Sequence, residues 1–253
     1  MKREYSYGSI ILIEIILGIV TIGLFFAFGK DNSDSILYSI ISSLITWFGS
    51  FLIASGLINN RKGSVGDYFN QIHRLDKKAI IVNLIIMALT ILITTFLGGG
   101  ASFFALKDDP KSFMSMGIVG SILTLLLAIF TTYSNHVVSD PRNKDQSITD
   151  AFKSVFAVGK KLFGKTILTY LLFIVLPLIV FVGISLLIAY TSKSFETIIG
   201  MTFAGMFIFG IYFVVISPII AARFADNYLD LTGDIENPIK ENENNEFTIS
   251  RNV

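Results

Sequence analysis

Few side chains in the long apolar stretches of this sequence could do chemistry. Glu14 lies inside the first stretch, and Asn135 and His136 lie near the end of the fourth, after the polar residues 131–134. If these stretches cross a membrane, an acid at such depth is costly and is a functional candidate by default. We therefore take Glu14, Asn135 and His136 as candidates for intramembrane polar contacts or for coupling to a proton or cation. The alternative is that they hydrogen-bond neighbouring helices and do no more.

Residues 159–166 read Gly-Lys-Lys-Leu-Phe-Gly-Lys-Thr and match the phosphate-binding pattern G-x-x-x-x-G-K-[ST]. That loop works between a strand and a helix, where its backbone N–H groups cradle phosphates. Here no strand pattern precedes the motif and a long apolar run follows it, so we expect no nucleotide binding. Gly159 and Gly164 are expected instead to break a surface helix away from the apolar run.

Most catalytic chemistries lack their residues in this sequence. It contains no Cys and two His, and it has neither G-x-S-x-G nor H-E-x-x-H nor an intramembrane pair of acids. Thiolate and aspartyl catalysis and a zinc site therefore lack parts. We predict a protein that is not an enzyme and that has no cofactor. The alternative, an intramembrane enzyme acting on lipid or peptide, would have to use Glu14 or His136.

Six apolar runs account for most of the sequence. Of the 253 residues, 53% are hydrophobic and 15% are charged, whereas about a quarter of the residues in soluble proteins are charged. A helix needs about 20 apolar residues to cross the hydrocarbon core of a bilayer. The runs that qualify are 8–28, 36–58, 79–98, 114–138, 166–190 and 197–222. The sequence therefore predicts an all-α, polytopic membrane protein with six transmembrane helices.

Lys and Arg are shared unequally between the two sets of connecting segments. Sixteen of the twenty lie in the segments on one side of the predicted membrane, and Lys30, Lys107, Lys111 and Lys193 lie on the other. Basic segments stay in the cytoplasm, so we predict a multi-pass plasma-membrane protein with cytoplasmic N- and C-termini. The formal net charge of +1 gives no reason to expect a nucleic-acid partner. Abundant Ile, Lys and Asn suggest a bacterial source.

Two basic segments resemble each other at an offset of 83 residues. Residues 64–78 and 147–161 share five identities in 15 positions, including Ser64/Ser147 and Asp67/Asp150. Ser-x-x-Asp can cap a helix start, and apolar residues then recur at helical spacing. We predict two cytoplasmic amphipathic helices lying at the membrane interface. The alternative to a true duplication is that this pattern is common to surface helices.

Basic residues near the ends of these predicted helices are the candidates for lipid or partner contact. They are expected to complement the helix dipole and to face anionic lipids of the inner leaflet. The candidates are Lys77, Lys78, Lys160, Lys161 and Lys165. The six spans and the two interfacial helices together form a tandem of helical hairpins, with repeat-like units at about 8–78, 79–163 and 164–228.

Small and polar residues form a stripe on the second span. Ser42, Thr46, Ser50 and Ala54 recur every four residues. This spacing is typical of close helix packing; the alternative interpretation is that the stripe lines a polar pathway. Pro177 is expected to kink the fifth span.

The stretch from Ala151-Phe152 to Val158-Gly159-Lys160-Lys161-Leu162-Phe163 leads from an amphipathic helix into a span. It resembles a broad bacterial group of six-helix proteins, the YciC-like proteins, which are similar to the membrane domain fused to some glycerophosphodiester phosphodiesterases. The resemblance implies a six-helix membrane fold. It covers the repeat units loosely and includes no catalytic motif. Because the chain has no phosphodiesterase domain, no hydrolase activity is implied.

The sequence therefore predicts a transmembrane domain at 1–228 and a polar, disordered cytoplasmic tail at 229–253. The function that we expect is a non-enzymatic accessory, scaffold or lipid-interacting role in the plasma membrane. The alternative is a transporter or exporter permease whose loops 61–78 and 140–165 dock a partner ATPase. The expected partners are membrane lipids and an ATPase, another membrane subunit or a second copy of the chain.

Overall fold

The computed structural model describes residues 3–28, 36–95, 110–191 and 194–235 of the chain, and within these ranges it contains helices and turns but no strand. The α-helices are α1 (Tyr7–Phe28), α2 (Ile36–Asn59), α3 (Val65–Phe69), α4 (Lys77–Ile93), α5 (Pro110–Thr131), α6 (Ser134–Ser139), α7 (Ile148–Tyr170), α8 (Leu176–Thr191) and α9 (Phe195–Thr232). Turns of 3-10 helix span Asn70–Arg74 and Pro141–Asn143, and a π-helical turn at Leu171–Val175 joins α7 to α8.

Several of these helices are long and apolar enough to cross a membrane. Five stretches of the described chain meet both requirements: Tyr7–Phe28, Tyr38–Asn59, Ile118–Ser139, Ile148–Thr191 and Ile199–Thr232. The predicted span at 79–98 corresponds to α4, which has 17 residues, and residues 96–98 of that prediction lie outside the described ranges. The all-helical class predicted from the sequence is thus confirmed, and these helices fit the predicted membrane protein, while the number of crossings and the orientation of the termini stay predictions.

Both predicted helix caps are present. The Ser64 hydroxyl accepts from the backbone N–H of Asp67 at 3.3 Å, and the Asp67 carboxylate accepts from the backbone N–H of Ser64 at 2.7 Å. These two bonds form a complete capping box at the start of α3. The Ser147 hydroxyl accepts from the N–H of Asp150 at 3.1 Å at the start of α7. The sequence signal therefore located both helix starts.

The helices that follow the two caps differ from the prediction in how they end. α3 stops after five residues, and Asp76 then caps α4 by accepting from the N–H of Ala79 at 2.7 Å. Lys77 and Lys78 consequently begin a helix instead of ending one. The prediction that these two residues interact favourably with the dipole at a helix C-terminus is therefore wrong. α7 runs through Gly159 and Gly164 without interruption, so the expected break is wrong as well. A glycine inside a helix costs only about 1 kcal/mol, which packing can offset.

The two glycines of α7 have different surroundings. A Cβ atom at Gly159 would overlap the backbone carbonyl of Phe130 in α5, whereas nothing lies within 4 Å of a Cβ at Gly164. Gly159 therefore allows α7 to lie directly against the α5 backbone, as small residues do between membrane helices. The rings of Phe130 and Phe163 stack beside this contact, with centroids 5.3 Å apart.

The buried core lies at one end of the bundle. It is built from the beginnings of α1, α4 and α7, the ends of α2 and α9, and the short helices α3 and α6. We call this set of residues the basal cluster. Its fully or nearly fully buried members are Ile10, Ile13, Phe51, Leu52, Leu57, Ile58, Tyr68, Ala79, Val82, Tyr133, Val137, Val138, Ala151, Val155, Leu162, Ala222, Ala225, Tyr228 and Leu229.

The parts of the helices farthest from the basal cluster have a different surface. We call residues 19–28, 118–125, 176–191 and 199–215 the distal halves. Their large apolar side chains are exposed, among them Ile19, Phe26, Ile179, Leu186 and Phe207. Such a surface would be costly in water but costs nothing against lipid chains. The distal halves therefore have the surface expected within a bilayer.

Pro177 perturbs its helix without ending it. Proline has no N–H and leaves the carbonyl four residues earlier without its helical donor. The π-helical turn Leu171–Val175 directly precedes this position, and the Tyr212 hydroxyl of α9 donates to the Phe173 carbonyl at 2.8 Å. A side chain of the neighbouring helix therefore replaces the donor that proline lacks.

The polar tail begins later than predicted. α9 continues to Thr232, and Leu229 within it is buried in the basal cluster. The prediction of a disordered tail from residue 229 is thus wrong for its first residues, because Leu229 has a packed site to occupy. The part of the predicted tail at 236–253 lies outside the described residues.

Candidate functional site

A cavity of about 610 Å³ lies between α2, α4 and α6. This volume falls within the range of about 300–1,000 Å³ that is usual for small-molecule sites. The residues around it come from one face of α2, from the first three turns of α4 and from the start of α6. They are Ser42, Ser43, Leu44, Thr46, Trp47, Ser50, Ile80, Asn83, Leu84, Ile86, Met87, Ser134 and Asn135.

The wall formed by α2 carries the polar stripe predicted from the sequence. The hydroxyl of Thr46 donates to the carbonyl of Ser42, and the hydroxyl of Ser50 donates to the carbonyl of Thr46, both at 2.9 Å. The protons of these two hydroxyls are engaged within the helix, while their oxygens can still accept. Ala54, the fourth member of the stripe, is buried and does not line the cavity.

The opposite wall supplies amide groups. The Asn83 side chain is 8% exposed, and its Nδ2 donates to the Ala79 carbonyl at 2.9 Å, which fixes the orientation of the amide. Ser134 and Asn135 approach the cavity from the start of α6. The cavity thus combines hydroxyls on one side with amides on the other.

Two buried polar atoms of the lining residues have no hydrogen-bond partner among the described residues. They are the Trp47 Nε1, which can only donate, and the Asn135 Oδ1, which can only accept. A buried polar group without a partner costs about 1–3 kcal/mol, and in native proteins an ordered water or ion is one of the features that account for such a group. Both atoms are shielded within the packing, and turning the two side chains toward the cavity would offer one donor and one acceptor to a ligand that has a hydroxyl and a carbonyl.

The cavity contains no ionisable side chain among the described residues that line it. Transferring a charged group into such a site would cost several kcal/mol without a compensating ion pair. Its Leu, Ile, Met and Trp side chains provide apolar contact area. The chemistry of this lining fits an uncharged amphipathic molecule and offers no nucleophile paired with a base.

The three predicted polar residues lie in three different places. Asn135 lines the cavity, whereas His136, the next residue, is buried in the basal cluster with ring centroids 5.9 Å from Tyr133 and 5.6 Å from Tyr228. Neither ring nitrogen of His136 has a partner in the described part of the chain. Glu14 is half-buried on α1 and accepts from the Ser217 hydroxyl of α9 at 2.5 Å. The structure therefore does not assemble them into one site.

The five predicted basic residues also differ from one another. Lys78 is 7% exposed, and its amine donates to the carbonyls of Asn143 and Lys144 at 2.5 and 3.1 Å. It thereby binds the loop after α6 to the start of α4. The remaining four are exposed, and lipid or partner contact stays a prediction for them: Lys77, Lys160, Lys161 and Lys165.

An ion pair between the buried Asp140 and the exposed Arg142, which the sequence analysis did not anticipate, joins α6 to α9. Asp140 accepts from Arg142 through Nε at 2.9 Å and Nη2 at 2.6 Å, and from the Tyr228 hydroxyl at 2.8 Å. Arg142 also donates to the carbonyls of Thr232 and Gly233 at the end of α9. The sequence signal was the pair Asp140-Pro141, because Asp before Pro is a typical helix cap.

The surroundings of Asp140 act on its pKa in opposite directions. Burial favours the neutral carboxyl, whereas the hydrogen bonds from Arg142 and Tyr228 favour the charged form. The hydrogen bonds outweigh burial, so the pKa of Asp140 is lowered. The same contact raises the pKa of Arg142. The pair is therefore charged at neutral pH and stabilises the basal cluster.

A second ion-pair group ties the N-terminus to α9. Arg3 contacts Asp226, Asp230 and Asp234 at 3.3, 2.6 and 2.8 Å. The three aspartates are spaced by four residues, so that they follow one another along one side of the chain. The Tyr5 hydroxyl donates to Asp226 at 2.7 Å. These contacts hold the residues before α1 against the end of α9.

Two further chemistries find no support in the described residues. Residues 159–166 are helical, so their N–H groups serve the helix and do not form a phosphate-binding loop. No group of three or more His, Asp or Glu side chains that could hold a metal ion occurs in the described ranges.

Comparison of the chain with models of protein families, with curated proteins and with solved structures finds no match. The resemblance to YciC-like proteins thus stays a prediction.

Proposed function

We propose that this chain is a non-enzymatic membrane protein of the bacterial plasma membrane that binds an uncharged, lipid-like molecule in the cavity between α2, α4 and α6. It crosses the bilayer six times, and α4 belongs to the third crossing. The basal cluster lies at the cytoplasmic side, because its connecting segments carry most of the Lys and Arg residues.

The observation that carries the proposal is that two residues lining the cavity each hold a buried polar atom without a hydrogen-bond partner among the described residues, Trp47 Nε1 and Asn135 Oδ1. They belong to a lining that also contains apolar side chains and the hydrogen-bonded hydroxyls of Thr46 and Ser50. A diacylglycerol-like molecule presents a hydroxyl donor and ester carbonyl acceptors beside acyl chains, and it carries no charge that the cavity would have to compensate. This chemical complementarity favours a neutral lipid over an ion or a nucleotide.

The single tryptophan of the chain provides a direct test. Because Trp47 lines the cavity, dibrominated diacylglycerol added to the detergent-solubilised protein should quench its fluorescence in a saturable way. Dibrominated phosphatidylglycerol should be weaker, because its phosphate would be buried without a cation. Quenching that rises linearly with probe concentration, without saturation, would contradict a binding site.

A matched pair of variants separates binding from general effects. Asn135→Leu removes the unpartnered acceptor, so the probe should bind roughly tenfold more weakly, as expected for one lost hydrogen bond of about 1.4 kcal/mol. Thr124→Val removes a hydroxyl that bonds to the Gly120 carbonyl away from the cavity and should leave quenching unchanged. Equal effects of the two variants would argue against the site.

The proposed topology is tested independently of the ligand. The chain has no Cys, so single cysteines at Lys62 and at Asp109 report their own side of the membrane without background. A maleimide that cannot cross the membrane should label the Asp109→Cys variant in intact cells and should leave Lys62→Cys unlabelled until the cells are opened. Labelling of both positions from outside would overturn the proposed number of crossings.

A permease role is the second candidate, and one observation favours it. The two loops expected to dock an ATPase contact each other, because Lys78 bonds to Asn143 and Lys144. They therefore offer a joint surface at the base of the bundle. Purification in mild detergent should then recover an ATPase identified by mass spectrometry, and Lys144→Glu should release it while Lys193→Glu should not. Recovery of the ATPase with both variants alike would argue against docking at this surface.

A further inference from the structure

A second cavity lies on another side of the bundle, between the start of α1, α7 and α9. Its volume is about 500 Å³. Lys165, Arg223 and Asn227 line one end, and Leu172, Phe173 and Ile219 line the other. None of these residues belongs to the first cavity.

The polar and apolar ends of this second cavity follow the axis of the bundle. In α7 the basal cluster includes Leu162, so Lys165 is close to the base and Leu172 is about 10 Å farther along the helix at ~1.5 Å per residue. In α9 the cluster begins at Ala222, so Arg223 lies at the base and Ile219 lies beyond it. The cationic end therefore faces the level of the basal cluster, and the apolar end faces the distal halves.

The two cations at the basal end differ in how far the protein pairs them. Arg223 is exposed and forms no ion pair or hydrogen bond with the described residues. Lys165 is exposed as well and lies 3.6 Å from Asp230, which Arg3 already holds at 2.6 Å. Asp226, the acid of the cavity lining, is engaged by Arg3 and by the Tyr5 hydroxyl. The cavity thus presents to a ligand Arg223, which has no ion-pair partner among the described residues, and Lys165, whose acid is shared with Arg3, while Asp226 is occupied.

The geometry points to a binding site for an anionic phospholipid, with its phosphate against Arg223 and Lys165 and an acyl chain against Leu172, Phe173 and Ile219. This inference rests on the proposed function in one respect, because it requires the basal cluster to lie at the depth of the cytoplasmic headgroups. Basic pockets between membrane helices on that side are suited to anionic headgroups, and Arg binds phosphate through two parallel hydrogen bonds.

Native mass spectrometry of the full chain tests this site. The purified protein is mixed with equal amounts of phosphatidylglycerol and phosphatidylcholine, and the retained lipids are counted. Wild-type protein should retain phosphatidylglycerol preferentially. Arg223→Gln and Lys165→Gln should each weaken its retention about fivefold, because a basic residue near the surface contributes about 1 kcal/mol. Arg223→Lys should keep part of the preference.

Lys153→Gln is the matched control, since Lys153 is exposed on the same helix, is not among the basic residues predicted to contact lipid and does not line the cavity. It should leave retention unchanged. Equal loss in all three Gln variants would mean that only net charge matters and would overturn the site, as would full retention in Arg223→Gln. Release of the lipid by excess inorganic phosphate would show a phosphate site instead of a lipid site.

The outcome is distinguishable from a failure of the proposed function. Quenching of Trp47 by brominated diacylglycerol should be the same in wild type and Arg223→Gln, because the two cavities share no residue. Loss of quenching with intact phosphatidylglycerol retention would reject the first site and keep the second.

Discussion

The basal cluster and the distal halves of the same helices are held together differently. At the base, seven helices meet in a core that is buried and joined by ion pairs, such as those of Asp140 and Arg3. In the distal halves, large apolar side chains are exposed and α8 has no buried residue among those described. The difference shows that protein contacts specify the base, whereas the distal halves depend on lipid to cover them.

This comparison predicts that substitutions of equal chemical size have unequal effects at the two ends. Changes at the base should unfold the protein or lower its stability in any detergent. Changes in the distal halves should be smaller, since lipid or detergent replaces lost contacts. Four measurements test the contrast, in order of decreasing expected effect.

Gly159→Ala should have the largest effect. The added Cβ would overlap the Phe130 carbonyl, and because this is backbone, α7 and α5 must move apart. Overpacking of this kind costs about 3 kcal/mol. Gly164→Ala, five residues later in the same helix, has open space around the new Cβ and should stabilise by up to about 1 kcal/mol through helix propensity. Thermal unfolding in a fixed detergent measures both variants, and equal midpoints would mean that α5 and α7 are not in direct contact.

Asp140→Asn should come next. The substitution keeps the shape of the side chain but leaves Arg142 without its anion and weakens the contact with Tyr228. Breaking a buried pair costs about 3–5 kcal/mol; because Arg142 is 39% exposed, water compensates part of this, and we expect about 2 kcal/mol. Asp145→Asn, a nearby acid for which no ion pair occurs in the described structure, is the control and should stay within about 0.5 kcal/mol of wild type.

The same carboxylate should make stability depend on pH. The pKa of Asp140 in the folded protein is below its unfolded value of about 3.9, because Arg142 and Tyr228 outweigh the opposing effect of burial. Its contribution is therefore complete above about pH 3.9 and is lost as the pH falls through the folded-state pKa. The unfolding free energy of Asp140→Asn should accordingly approach that of wild type as the pH falls below 3.9. A constant difference between the two proteins down to the lowest accessible pH would contradict the ion pair.

Local patterns in the sequence located the elements of this fold better than they located its contacts. The long apolar runs and the caps at Ser64 and Ser147 were legible because they depend on residues close together in the chain. The continuity of α7 through Gly159 could not be predicted in this way, because it depends on packing against the Phe130 backbone, which lies 29 positions earlier. Cap residues mark where a helix begins, and packing decides how far it continues.

The candidate sites show the same limit. The stripe of Ser42, Thr46 and Ser50 could be recognised from its helical spacing. Asn135 could be recognised as an unusual polar residue in an apolar run. That these residues share a cavity with Trp47 and Asn83 depends on how α2, α4 and α6 pack. Glu14, equally unusual in the sequence, instead bonds to Ser217 on α9. Residue type therefore identified candidates, and tertiary structure separated them into different sites.

Tyr212→Phe should have the smallest effect and tests the distal halves. It removes the hydroxyl that donates to the Phe173 carbonyl, and hydrogen bonds between membrane helices contribute about 0.6 kcal/mol. The reason for this bond is Pro177, which lacks the N–H that would serve the carbonyl. In a Pro177→Ala background the helix supplies its own donor, so Tyr212→Phe should then cost close to nothing. A double-mutant cycle of unfolding free energies measures this coupling. Equal costs in the two backgrounds would mean that the tyrosine hydroxyl does not substitute for the missing N–H, and that the bond is incidental to the proline.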